Sequence, residues 1–528
     1  MGMMENLNAD FWRATLCRGR TRQSASLQCG SVPSERGTRL AAVSSAVPPG
    51  SRYSTIPKFH YSFLVFLLLL LGSFVHGASK PNVLFIAVDD MNDWTTLFDE
   101  KNPIQTPNLQ RLAKRGVFFE NAYCAAPACS PSRAAIMTGR APHKSGVVKN
   151  EHAWARMIPD AEVIPRAFMA NGYDTRMCGK IFHHGPTGND PKGKPSFQIK
   201  GEWNRDIGKP ATNHNGYPKG HALGGVAFDF GIHEAKQGDE FTVEWAAAQM
   251  KKTWKADMKP QFLALGIFRP HLPFWAPSRL FANYPLNEKL VTPIHPKPPM
   301  PNFPKDDMED VPDAGVKLTL KESFFQESFK MAEPYSIGSA EQYARCYQAA
   351  STYADEMLGR ILDKLDASGQ TDNTIIVLWS DHGYHLGDKG CYVKFTLWEK
   401  ANHVPLIIVA PGVTKPGMRC AAPVSLLDIY PTLLDLAGLP PNPKNDGVSL
   451  KPLLEDPQAK WDRPALMTYA EGNHAIKTAG YRYIRYQDGS EELYTHEDNW
   501  NLKNLVKDPA LQSVLETHRQ LMKDALAR

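Results

Sequence analysis

An α/β sandwich is the fold class that this sequence predicts, followed by a smaller antiparallel subdomain. Three observations predict it. Short unbroken apolar runs of buried-strand type alternate with helical patterns from residue 81 to about residue 436. Those runs end repeatedly on charged or histidine residues, the position where ligands gather in such sheets. After Leu439-Pro440-Pro441 the texture changes to short strand-like segments at 465–469, 475–478 and 481–486, then a terminal helix over about 509–526.

Composition bounds the function classes. A chain of 528 residues has room for one large catalytic domain and a smaller one. A hydrophobic share of 42% with 22% charged residues is that of a globular protein. The net charge of +5 is small for this length and gives no ground for a nucleic-acid partner. Cysteines at 17, 29, 124, 129, 178, 346, 391 and 420 show neither a C-x-x-C nor tight pairing, which argues against a zinc ribbon and a disulfide scaffold.

In chain order, residues 1–60 are rich in Arg, Ser, Gly and Pro without a period and read as an unstructured leader. The apolar run from Phe63 to Leu71, followed by small residues up to Ala78, reads as a signal peptide over 61–78. The expected localisation is therefore export, to a periplasmic, secreted or lysosome-like compartment, with a membrane anchor as the alternative. The catalytic domain is expected over 79–445 and the carboxy-terminal subdomain over 446–528.

The first buried strand, from Pro81 to Val88, ends on Asp89-Asp90. Two adjacent acids there repel each other unless a cation or an arginine compensates, which suggests a metal site; a solvated turn is the bland alternative. Thr106-Pro107 opens a helix by an N-cap and a first-turn proline, and Gly116 ends it. A strand over 173–178 leads into Gly179-Lys180 and His183, and Thr242 is placed to cap a helix through about Lys255. The strand from Gln261 to Phe268 delivers His271 between prolines, directly after an arginine-proline pair. The Gly-, Asn- and Lys-rich stretch 185–240 and the Pro-rich stretch 293–312 read as loops. The clearest helix spans 341–367, with Ala350, Ala354, Met357, Ile361 and Leu365 as its stripe. A strand from Thr374 to Trp379 then ends on Ser380-Asp381-His382, with Lys394 in the following polar loop, and 406–410 is the next strand. A helix is expected to start at Ser425.

The stretch Cys129-Ser130-Pro131-Ser132-Arg133, continuing to Thr138-Gly139-Arg140, places a cysteine at the mouth of a short apolar helix. Pro131 suits a first helical turn, and Gly139 suits the end. Outward N–H groups and the helix dipole favour an anion at Cys129, and Arg133 is one turn along on the same face. The bland alternative is a buried cysteine before an ordinary helix.

The pattern Cys-x-Pro-x-Arg followed by Thr-Gly resembles the signature of the sulfatase family, in which this cysteine is oxidised after translation to formylglycine. The order and spacing of Asp89-Asp90, Cys129/Arg133, Lys180/His183, His271, Asp381-His382 and Lys394 extend the resemblance to the type I sulfatases from Pro81 to about Leu505. Within them, Gly179-Lys180-Ile181-Phe182-His183, Arg269-Pro270-His271-Leu272-Pro273-Phe274 and Ser380-Asp381-His382-Gly383 resemble the iduronate-2-sulfatase subgroup most. The resemblance implies an alkaline-phosphatase-like sandwich: a large mixed, mostly parallel sheet flanked by helices, plus a smaller subdomain with an antiparallel sheet. It implies Ca²⁺ held by Asp89, Asp90, Asp381, His382 and the modified residue 129, although imidazole is a soft ligand for calcium.

The chemistry that the resemblance implies is hydrolysis of a sulfate ester. The aldehyde at 129 hydrates, and one hydroxyl attacks sulfur. Arg133, Lys180, Lys394 and the cation meet the charge on the sulfate oxygens. His271, with Lys394, protonates the leaving oxygen, and His183 takes the proton of the second hydroxyl. The implied partners are a sulfated glycan, for which a 2-O-sulfated uronic acid is the subgroup expectation, and a maturation enzyme that generates formylglycine. Two other readings stand beside it. One is a phosphodiesterase or phosphonate monoester hydrolase of the same superfamily. The other is a catalytically silent polysaccharide-binding protein, which requires lost site residues.

Overall fold

The computed structural model describes residues 80–183, 188–189, 195–197, 230–232, 234–255, 257–284, 286–287, 292–293, 307–322 and 337–528. The leader over 1–60, the signal-peptide segment over 61–78 and most of the 185–240 and 293–312 loops lie outside the described residues. All that follows concerns the unit His76–Arg528.

The main sheet has seven strands: β1 (Asn82–Asp89), β2 (Val117–Tyr123), β3 (Asp174–Gly179), β4 (Gln261–Pro270), β5 (Thr374–Ser380), β6 (Leu406–Val409) and β7 (Met418–Ser425). Their order across the sheet is β7-β2-β6-β5-β1-β4-β3. Pairings of β1 with β4 and β5, of β3 with β4 and of β7 with β2 are parallel, and β6 alone runs against its neighbours. The sheet is thus mixed and mostly parallel, as expected.

Both faces of the sheet are covered, which explains the unbroken apolar runs. Along β1, Val83, Phe85 and Ala87 enter one core, whereas Leu84, Ile86 and Val88 enter the other. The first core receives Ile136 and Met137 of helix α1 (Cys129–Thr138). The second receives Tyr347, Ala350, Tyr353, Ala354, Met357, Ile361 and Leu365 of the long helix α2 (Ile337–Ala367). Alternation with a period of two thus feeds two layers at once.

The smaller sheet is antiparallel, with the order β8 (Ala465–Thr468), β9 (His474–Lys477), β10 (Tyr481–Arg485), β11 (Glu491–Thr495). The terminal helix α3 (Gln512–Ala527) buries Leu515 and Met522 in one cluster with Ile476, Tyr483 and Leu493.

Several local expectations differ from the structure for physical reasons. The helix assigned to begin at Thr242 begins at Gly238, capped by Gln237 and Glu240, and the Thr242 hydroxyl bonds back to the Gly238 carbonyl inside it. Thr106 precedes its helix but does not cap it; Asp355 of α2 accepts the N–H groups of Asn108 and Leu109 instead, at 2.9 and 2.7 Å. Ser425 caps a single 3₁₀ turn, Leu426–Asp428, ahead of the helix Ile429–Leu436. The six described cysteines are all buried free thiols. The localisation expected from the sequence is corrected: among the described residues no helix is long and apolar enough to cross a membrane. The membrane-anchored alternative therefore has no helix to carry it there, and the run at 63–71 lies outside those residues.

One backbone contact of the sheet sets the position of Lys180. Gly179, at φ 74°, pairs with Gly266, and a Cβ on Gly266 would lie 2.2 Å from the Lys180 carbonyl oxygen. Only two glycines allow that approach. Gly266→Ala is expected to lower stability by about 1–3 kcal/mol through this overpacking. The same change displaces Lys180, and chemical denaturation reads the loss of stability.

Candidate active site

The parallel strands β1, β3, β4 and β5 end on one edge of the sheet, and β2 leads there through Cys124 to α1. Asp89 closes β1 and Asp90 follows at φ 66°, a left-handed conformation that turns the chain and directs the adjacent carboxylates apart. Lys180 follows β3, His271 follows β4, and Asp381-His382 follow β5. Cys129 opens α1 after the extended Ala128, and the left-handed Gly139 closes the helix. All the residues expected at the site are therefore brought to one place, except that the ring of His271 stands at its mouth.

Cys129 is buried at the centre. Its Sγ lies 3.2 Å from His382 Nε2, 3.3 Å from Lys394 Nζ and 3.6 Å from Lys180 Nζ, and the His183 side chain adds a hydrogen bond. Lys180 also donates to Asp89, and Lys394 donates to Asp90 Oδ1 at 2.6 Å. His271 Nε2 is 3.9 Å from Asp90 Oδ2, with the ring a quarter exposed.

Arg133 lies differently from the expected sulfate contact. It is fully buried, and its donors are engaged inside the protein. Nε donates to Asp381 Oδ2 at 2.7 Å and Nη2 to Asp89 Oδ1 at 3.0 Å. Nη1 donates to the carbonyls of Lys180 and Ile181 at 2.5 and 3.1 Å, and Trp379 lies under the guanidinium. The fork thus joins the ends of β1, β3 and β5 and fixes the spacing of two carboxylates.

Charge compensation sets the ionisation of the site. Burial pushes the Asp89 carboxyl up, but Lys180, His271 and Arg133 together outweigh it and hold the group below the usual range. Burial wins at Asp381, which stays raised to about 6 against the pull of Arg133. Burial disfavours the charged His382 ring, yet Asp381, Cys129 and Asp90 together raise it to about 9. Burial also opposes ionisation of Cys129, but Lys180 and Lys394 bring its thiol well below the ordinary value. The pocket is built to hold an anion at position 129 beside carboxylates that need a cation.

The donor set fits a divalent metal. Ligand atoms of Asp89, Cys129, Asp381 and His382 lie within 4.8 Å of one another, and those of Asp90, Cys129 and His271 form a second such group. That separation is what opposite ligands of one ion show when each bond is about 2.3–2.6 Å, as for calcium with oxygen. Across the two groups three carboxylates are the hard donors that Ca²⁺ takes, and His382 and His271 are the nitrogens. In a formylglycine protein the Cys129 Sγ stands in for an oxygen.

Several supporting residues escaped the sequence reading. Ser132 Oγ donates to the Asp381 carbonyl at 2.5 Å, and Asn150 accepts the Ser130 N–H at 2.9 Å. The Tyr347 hydroxyl donates to the Asp90 carbonyl at 2.7 Å, and Ser380 Oγ accepts the Met91 N–H at 2.9 Å. Asp239 accepts the N–H groups of Phe268 and Arg269 at 2.7 and 3.0 Å, which fixes the strand end before His271. Of these, Ser130 and Ser132 carried a local signal inside the Cys-x-Pro-x-Arg pattern, and Ser380 carried one inside the Ser380-Asp381-His382 block.

Comparison with known proteins agrees with this geometry. The sulfatase family model matches residues 81–439. A second model, N-sulphoglucosamine sulphohydrolase C-terminal, matches residues 387–527. The chain is 37% identical to a sulfatase of Formosa agariphila over 80% of this chain and 82% of that protein. It is 28% identical to the human iduronate 2-sulfatase over 69% of this chain and 70% of that protein. Among solved structures it is similar to the phosphonate monoester hydrolase of Agrobacterium radiobacter, with a TM-score of 0.67 and 21% identity over 85% of this chain and 96% of that one.

Proposed function

The chain belongs to the sulfatase family, and from that premise we propose that it releases inorganic sulfate from a sulfated carbohydrate, using formylglycine formed at Cys129 and a bound Ca²⁺. The observation that carries this reading is the buried Cys129 Sγ held by His382, Lys394 and Lys180 beside three carboxylates. The proposed division of the chain is a catalytic domain over 79–445 and a carboxy-terminal subdomain over 446–528.

Asp89, Asp90, Asp381, His382 and residue 129 hold the cation, which when bound supplies positive charge to the sulfate oxygens. A hydrated aldehyde at 129 supplies an oxygen nucleophile where a thiol stood. Lys180 and Lys394 place two ammonium groups beside that oxygen and stabilise charge there. His183 touches residue 129 and takes a proton from it. His271, at the mouth, gives a proton to the departing oxygen. Arg133 positions Asp89 and Asp381. Maturation requires a formylglycine-generating enzyme as a partner.

A 2-O-sulfated uronic acid is the substrate expected from the iduronate-type blocks. Identity to the iduronate 2-sulfatase is lower than to the Formosa sulfatase, so the blocks, not overall likeness, support this finer choice. Likeness to the phosphonate monoester hydrolase concerns the fold alone. The silent-protein reading needs lost site residues, and the sequence keeps every one that the resemblance implies.

Sulfate release from a panel of sulfated uronic acids and amino sugars tests the substrate class; turnover of only non-carbohydrate esters would contradict it. Calcium makes a further prediction. EGTA is expected to abolish turnover, and Ca²⁺ to restore it. Ca²⁺ at a hundred times its Kd should stabilise the chain by about 2.7 kcal/mol, read as a rise in Tm. An unchanged Tm on titration with Ca²⁺ contradicts the metal assignment.

A further inference from the structure

The loop that carries Lys394 has a feature the reaction alone does not explain. Phe395, directly after Lys394, has φ 75°, a left-handed conformation that a phenylalanine adopts only when its surroundings impose it. The surroundings are specific. His385 Nε2 meets Thr396 Oγ1 at 2.6 Å, and its Nδ1 bonds to Asp388. The His385 N–H donates to the Val393 carbonyl at 2.7 Å. One residue therefore grips the chain on both sides of the Lys394-Phe395 pair. His385, Asp388 and Thr396 are all buried. The Phe395 N–H donates to the Pro127 carbonyl at 3.1 Å, two residues before Cys129, and its ring stacks on Tyr469 at 5.8 Å.

We propose that the buried Asp388–His385–Thr396 chain is a positioning device that holds Phe395 in its left-handed conformation and thereby aims Lys394 at residue 129. Nδ1 bonds to the Asp388 carboxylate and Nε2 to the Thr396 hydroxyl, so both ring nitrogens are engaged. Asp388 Oδ1 also accepts the Leu386 N–H at 3.2 Å, which anchors the carboxylate to the loop it serves. The consequence is geometric. Val393 and Thr396 are fixed relative to His385, only three residues beyond His382, so the two arms that bring His382 and Lys394 to Cys129 form one rigid unit. The arrangement resembles a hydrolytic triad in residue types, but it is closed to solvent and its hydroxyl belongs to the scaffold.

The inference rests on Lys394 acting in the proposed sulfatase site, and the test separates the two. Thr396→Val removes the hydroxyl at nearly constant volume; Asp388→Asn weakens the other end and is read if the valine chain does not fold. With 4-methylumbelliferyl sulfate as probe, kcat is expected to fall about 10- to 100-fold, the scale of a displaced catalytic group. kcat should fall by a larger factor than KM rises, since Lys394 lies beside the reacting atom at position 129. Thr396→Ser should restore kcat. Phe395→Gly accepts the left-handed conformation without a restraint, so in that background Thr396→Val should cost much less, a coupling that a merely structural role would not give. Crystals of the valine chain should show Lys394 Nζ displaced from its 3.3 Å approach to position 129. Equal losses in both backgrounds, or an undisplaced Lys394 with unchanged kcat, overturn the inference. A wild-type chain that releases no sulfate from any ester overturns the function, while the position of Lys394 in the crystals still decides the positioning role.

Discussion

Replacing Arg133 by methionine is expected to lower the stability of the metal-free chain by about 3–5 kcal/mol, the cost of leaving a buried charge without its partner. Two carboxylates are affected at once. Arg133 donates to Asp89 at 3.0 Å and to Asp381 at 2.7 Å, and none of the three side chains is more than 1% exposed. Asp381, already raised to about 6 by burial, would rise further. Ionisation is then lost where a cation needs it, so Ca²⁺ affinity and turnover fall with stability. Arg133→Lys should recover little, because an ammonium cannot reach both carboxylates and the Lys180 and Ile181 carbonyls with the spread of a guanidinium. Urea denaturation in EGTA, beside a Ca²⁺ titration, checks this. Lost activity at unchanged stability would mean that Arg133 contacts the substrate.

Cys129→Ala is expected to lower turnover by at least about 10³-fold, as removal of a nucleophile does in other hydrolases. Stability should change far less than in the Arg133 variant. Lys180 and Lys394 keep their ion pairs with Asp89 and Asp90, so no charge is stranded. Comparison of kcat/KM with a melting curve separates the two effects. Retained turnover would place the nucleophile elsewhere.

Most strands were legible in the sequence because both faces of the sheet are covered, which leaves runs such as Val83 to Val88 without a polar residue. The edge strand β7 was not. Arg419 and Ala421 are exposed and Pro423 interrupts it, as edge strands allow. In β11, the sequence Glu491-Glu492 hid a buried carboxylate that accepts from Trp398 at 2.8 Å and from Tyr486 at 2.5 Å. No local pattern announces a donor as distant as Trp398, 94 residues away. The same holds for the site. Residue types at strand ends located Asp89, Lys180, His271 and Asp381, since topology gathers those ends. The ion pairs of Arg133 were not legible because its partners lie 44 to 248 residues away, and only the fold brings them together.

The central claim is that position 129 carries an aldehyde formed from cysteine. Mass spectrometry of the tryptic peptide containing residue 129, taken from a preparation whose sulfate release has been measured, tests it most directly. Active protein is expected to carry the mass of formylglycine or its hydrate, with activity proportional to the modified fraction. Active protein in which residue 129 is wholly unmodified cysteine would contradict it.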